Sequence, residues 1–68
     1  MITEFDTMRR EIYWLNDDIV FYTENIRLLE LKLAQETVVY KQGVLEAVLA
    51  SDRRLLTEKQ DRRQELLG

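Results

Sequence analysis

Residues 5–33 read FDTMRREIYWLNDDIVFYTENIRLLELKL, and within them Phe5, Met8, Ile12, Leu15, Ile19, Tyr22, Ile26, Leu29 and Leu33 follow one another at alternating steps of three and four. Such steps keep side chains on one face of an α-helix, which turns once in about 3.6 residues. The repeat persists for about four heptads and predicts an all-α chain built on a coiled-coil seam. Phe5, Ile12, Ile19, Ile26 and Leu33 take position a, and Met8, Leu15, Tyr22 and Leu29 take position d. This seam is the expected oligomer interface.

Upstream, Thr3 stands three residues before Asp6, the spacing of a capping box. Glu4 and Asp6 also place negative charge in the first turn, where the helix dipole favours it. The initial Met1 points to a complete chain. Away from the seam, Tyr13, Trp14, Val20, Phe21 and Leu28 fall at b and c, positions that a two-stranded coil turns to solvent. Large aromatic side chains there call for a second buried face, or for contact with a partner protein.

The flanking charges point the same way. In a parallel dimer the g and following e positions pair Glu11 with Asn16, Asp18 with Thr23, Asn25 with Glu30, and Lys32 with Thr37, none of them of opposite charge. A bundle of three or more helices therefore fits better than a parallel zipper.

Downstream of Leu33 the register fails, because the next seam positions are Glu36, Tyr40 and Gly43. A stripe of different phase takes over through Leu28, Leu31, Val38, Leu45 and Leu49, with Val44, Val48, Leu55 and Leu56 beside it. Gly43 is the only interior residue with a strong preference for ending a helix, since glycine takes the left-handed conformation without a Cβ penalty. The expected fold is thus a helical hairpin, with a helix over 3–42, a turn at 42–44 and a shorter helix over 44–67, assembling into an oligomeric bundle. Its helices would measure roughly 60 Å and 35 Å at 1.5 Å per residue, leaving the N-terminal region overhanging. The alternative is one continuous helix in a coiled coil, because a lone mid-helix glycine costs only about 1 kcal/mol. Two weaker break points stand at Asn16-Asp17-Asp18, inside the intact heptad, and at Ser51-Asp52.

Composition agrees with helices and narrows what else the chain can be. With 68 residues it is short for a self-sufficient core, and with no cysteine or histidine it lacks disulfides and the usual zinc ligands. Helix packing between chains is the remaining staple. Apolar residues make up 46% and charged residues 34%, too apolar for disorder and suited to amphipathic helices. No proline and two glycines leave little from which to build β-turns. No stretch is apolar enough to span a membrane, and Glu4 and Asp6 stand where a signal peptide carries basic residues. A soluble protein of a reducing cytoplasm is expected.

Charge is unevenly spread. Through Glu24 the acids outnumber Arg9 and Arg10 by six to two, whereas Arg53, Arg54, Lys59, Arg62 and Arg63 crowd the end. Antiparallel packing, within a hairpin or between chains, would bring the two ends together.

Few residues here can carry chemistry. Ser51 is the sole serine and has no imidazole to activate it. Asp17 and Asp18 point about 100° apart on a helix and do not converge on one cation. A di-iron bundle needs Glu-x-x-His, and a phosphate loop needs clustered glycines; both are missing. No catalytic, cofactor-binding or metal residues are assigned, and the chain is not expected to be an enzyme.

The expected function is a helical oligomerisation or protein-interaction module, a scaffold, adaptor or inhibitor whose partners are further copies of itself or another protein. Tyr13, Trp14, Phe21 and Leu28 are its candidate second contact face. A rival reading is a nucleic-acid-associated regulator using Arg53, Arg54, Lys59, Arg62 and Arg63. Nearby Asp52, Glu58, Asp61 and Glu65, with a net charge of −3, speak against it. Another is a small chaperone or antagonist that shields its apolar stripe with one cognate protein.

Overall fold

The computed structural model describes residues 3–68 and contains two α-helices that pack antiparallel as a helical hairpin. Met1, on which the complete-chain expectation rests, lies outside the described residues. The first helix, α1, runs Glu4–Gln35 and the second, α2, runs Val39–Leu67. At 32 and 29 residues they are nearly equal, and the molecule is a rod of 55 × 16 × 14 Å.

α1 starts where the capping box was expected. Thr3 is extended, its hydroxyl accepts from the Asp6 N–H at 3.2 Å, and its own N–H donates to the Asp6 carboxylate at 3.5 Å. Two backbone donors that the first turn leaves without partners are satisfied in this way. The helix then runs unbroken through Asn16-Asp17-Asp18, as α2 does through Ser51-Asp52.

The turn falls at Glu36, Thr37 and Val38, not at residues 42–44, and the chain is not one continuous helix. Two causes act together. The seam loses its apolar residues at Glu36, and Thr37, Val38 and Val39 form a β-branched run that loses side-chain freedom in a helix. The backbone is extended at Glu36 and Val38 (ψ 126° and 118°). Gln42 then ties the turn down, its side-chain amide donating to the Glu36 carbonyl at 2.7 Å, while the Glu36 carboxylate accepts from the Val38 N–H at 3.1 Å. Gly43 sits inside α2, and the left-handed glycine cap is Gly68, at φ 90°.

Burial explains why this turn wins over one at Gly43. A turn at residues 36–38 cuts the chain into matched lengths, so α2 covers the seam of α1 almost to its start and no overhang remains. Leu15, Ile26 and Leu49 are buried, at 6%, 9% and 2% exposure. Met8, Ile12, Ile19, Tyr22, Leu29 and Leu33 are half-buried along the same stripe, and only Phe5 at the open end stays exposed. The facing stripe of α2 is Gln42, Leu45, Leu49, Asp52, Leu56, Lys59, Arg63 and Leu66, all buried or half-buried. Half of these are polar, which is why the seam of α2 is hard to see in an apolar pattern.

Candidate interaction surface

Ion pairs and polar contacts fix how the two helices lie against each other. Arg62 reaches Glu11 at 2.8 Å, Lys59 reaches Asp18 at 3.4 Å, and Arg53 reaches Glu30 at 2.9 Å. Arg63 donates to Asn16 at 3.0 Å, and the Asn25 amide donates to Asp52. A step toward the N-terminus of α1 is matched by a step toward the C-terminus of α2. The acidic first half and the basic last segment therefore meet within one chain. In antiparallel helices g meets g and e meets e, in place of the g-to-e pairing of a parallel dimer; Glu11–Arg62 is of the first kind and Glu30–Arg53 of the second.

These contacts engage the whole basic cluster. Arg62 also pairs with Glu65 at 3.2 Å, and Arg54 approaches Glu58 at 4.0 Å. The Arg62 guanidinium is held above its ordinary value, first by its hydrogen bond to Glu11 and then by that to Glu65. On α1, Arg27 holds the Glu24 carboxyl below its ordinary value, mainly through their hydrogen bond and then through charge. The ion pairs are open or only half-covered, so they select the antiparallel alignment more than they stabilise it.

The seam expected to meet another chain is covered from within by α2. What stays open is the other face of α1. Trp14 is 58% and Phe21 63% exposed, and Tyr13, Val20, Leu28 and Leu31 are exposed as well. Tyr13 meets Trp14 edge-on with ring centres 5.5 Å apart, and Phe21 meets Tyr22 edge-on at 5.3 Å. Phe5 lies under the Arg9 guanidinium at 5.6 Å. On α2, Val39, Tyr40, Val44 and Val48 are exposed.

The helical register sorts these residues onto two flanks. Glu11, Asp18, Asn25 and Lys32 occupy g of α1, and Trp14, Phe21 and Leu28 stand three residues after the first three, on the same side. On α2 the matching position, marked by Arg62, recurs at Val48 and Leu55, with Val44 one turn before Val48. One flank of the hairpin thus carries exposed apolar residues from both helices, with Glu11, Asp18, Asn25 and Lys32 of α1 and Lys41 and Arg62 of α2 among them. Two hollows lie along it: Lys32, Tyr40 and Val44 line one near the turn, and Glu11, Trp14, Asp18 and Lys59 line another near the open end. The opposite flank carries Arg9, Asn16, Thr23 and Glu30 of α1 with Glu46, Arg53 and Gln60 of α2, together with exposed Tyr13, Val20, Val39 and Leu67, so that Tyr13 falls on a different flank from Trp14, Phe21 and Leu28.

Sequence reasoning singled out Trp14, Phe21 and Leu28 on this strip but not their neighbours on α2. Val44, Val48 and Leu55 read as part of a core stripe until Asp52, Lys59 and Arg63 are recognised as the true seam. Among the described residues no three His, Cys, Asp or Glu side chains gather to hold a metal, and no helix is long and apolar enough to cross a membrane. No protein-family model, curated protein or solved structure matches the chain.

Proposed function

We propose that this chain is a non-enzymatic interaction module that self-associates through helix–helix contacts and serves as a scaffold, adaptor or inhibitor. The observation that carries the reading is the apolar flank, with Trp14, Phe21 and Leu28 on α1 and Val44 and Val48 on α2 all exposed. Tryptophan and tyrosine dominate the energetics of interfaces, and a contiguous exposed apolar patch marks a surface that another protein covers. The basic cluster supports the same reading, since its cations are occupied with carboxylates and an asparagine rather than arrayed for phosphate. A reducing cytoplasm suits a chain without cysteine.

The test is the molar mass in solution, by light scattering or sedimentation across a concentration series. A dimer or larger assembly is expected at micromolar protein. A monomer at every concentration overturns self-association and leaves the one-partner chaperone or antagonist as the better reading.

A further inference from the structure

The geometry points to a specific occupant and orientation for the apolar flank: a second copy of this hairpin, packed flank to flank with its turn at the opposite end. The inference rests on the self-association reading and goes further, naming the surface and the arrangement. In it α1 lies antiparallel to the partner copy's α1, and α2 to its α2, around a two-fold axis near the middle of the strip.

Area is the first argument. The chain exposes 5496 Å². A folded monomer of 8.2 kDa is expected to expose only about 4,500 Å² on the usual mass scaling. The excess, roughly 1,000 Å², is close to the ~800 Å² that each partner buries in a standard stable interface. A two-helix rod has no inner layer in which to hide a second apolar stripe. Doubling the rod supplies one, because Trp14, Phe21, Leu28, Val44, Val48 and Leu55 become the centre of a four-helix bundle.

Charge selects the orientation. Near the turn the flank carries Lys32 and Lys41, which among the described residues make no ion pair. Toward the open end it carries Glu11, Asp18, Glu58 and Glu65 against Lys59 and Arg62, a net negative charge. With the turns at opposite ends, Lys32 of one copy comes to the level of Asp18 of the other, and Lys41 to that of Glu65. Turns at the same end would gather four lysines at one end and crowd the carboxylates at the other. Like-charge juxtaposition of this kind is how an interface rejects a wrong register. The opposite flank exposes Tyr13 and Val20 of α1 and Val39 and Leu67 at the two ends of α2, but Glu46, Arg53 and Gln60 leave its middle on α2 polar.

The absence of native cysteine makes a direct test simple. Thr37→Cys, in the exposed turn, carries a nitroxide label, and pulsed electron resonance measures the distance between the two labels in the assembly. Turns at opposite ends predict a separation of about 40 Å, from 1.5 Å per residue along the helices. Turns at the same end predict about 20 Å or less, roughly one interhelical spacing between the turns plus the reach of the two labels. In parallel, Phe21→Asp and Val48→Asp are expected to convert the assembly to monomer with helix content retained, since both side chains are exposed within the hairpin. Labels at about 20 Å or less, or an assembly that survives both substitutions, overturn the flank-to-flank arrangement while the self-association reading stands. A parent chain that is monomeric throughout overturns both.

Discussion

Replacing Gly43 by alanine separates two accounts of where this chain turns, because they differ in the sign of the effect. In the structure Gly43 lies inside α2, the only left-handed glycine is Gly68, and a Cβ built on Gly43 meets nothing within 4 Å. Nothing is lost in the folded state, and the unfolded chain gives up the extra freedom of glycine. Gly43→Ala is therefore expected to stabilise the hairpin by about 0.5–1 kcal/mol. For a chain of this size that raises Tm by roughly 3–8 °C. Had the turn been at Gly43, with a left-handed backbone, alanine there would cost roughly 1–2 kcal/mol instead. The assay is thermal and urea unfolding by far-UV circular dichroism, parent and variant at one protein concentration, since association shifts apparent stability by mass action. A lower Tm, or an unchanged midpoint with a smaller urea slope, would refute the reasoning that β-branched residues, not the glycine, break the helix.

Further outcomes follow from the seam. Leu49→Ala removes the most buried side chain, 2% exposed, and is expected to cost about 2.5–4 kcal/mol in urea unfolding. Val39→Ala, at 79% exposure, should fall within about 0.5 kcal/mol of the parent; equal effects would contradict the assigned core. Asn25→Leu leaves Asp52 without its donor and is expected to destabilise by about 1–3 kcal/mol, with Asp52→Leu added to it restoring most of the loss. A double variant no better than the single would dissolve that pairing. Thr3→Ala breaks the capping box and is expected to cost about 1 kcal/mol, with fraying of the first turn visible in amide exchange. By NMR titration the Glu24 carboxyl is expected to titrate below its ordinary value, and Arg27→Ala to return it. Because the folded value is the lower one, this pair favours the fold above the unfolded value and ceases to as pH falls through the folded one.

How much of the molecule was legible beforehand depends on how local each signal is. The cap at Thr3, the helical stripe from Met8 to Leu33 and the hairpin as a class rest on spacing and propensity within one segment, and each appears in the structure. The turn did not read correctly, because glycine is a strong local signal while the competing one, a β-branched run coinciding with a gap in the seam, is weak in each part. The partner of the stripe was misread for a related reason. Gln42, Asp52, Lys59 and Arg63 keep the heptad spacing of α2, but they are polar, and an apolar pattern passes over them.

The amino-acid sequence by itself therefore determined that this protein is helical, amphipathic on one clear face and apolar on a second. Backbone propensity and side-chain periodicity act over a few residues and survive in any arrangement of the chain. Only the tertiary structure decided which face covers which. Matching the helix lengths buries the longest run of seam, and the antiparallel alignment puts Glu11 beside Arg62 and Asp18 beside Lys59. With that settled, the aromatic residues around Trp14 are what the hairpin leaves open. Burial and charge pairing couple residues dozens of positions apart, and such coupling has no signature in a local pattern.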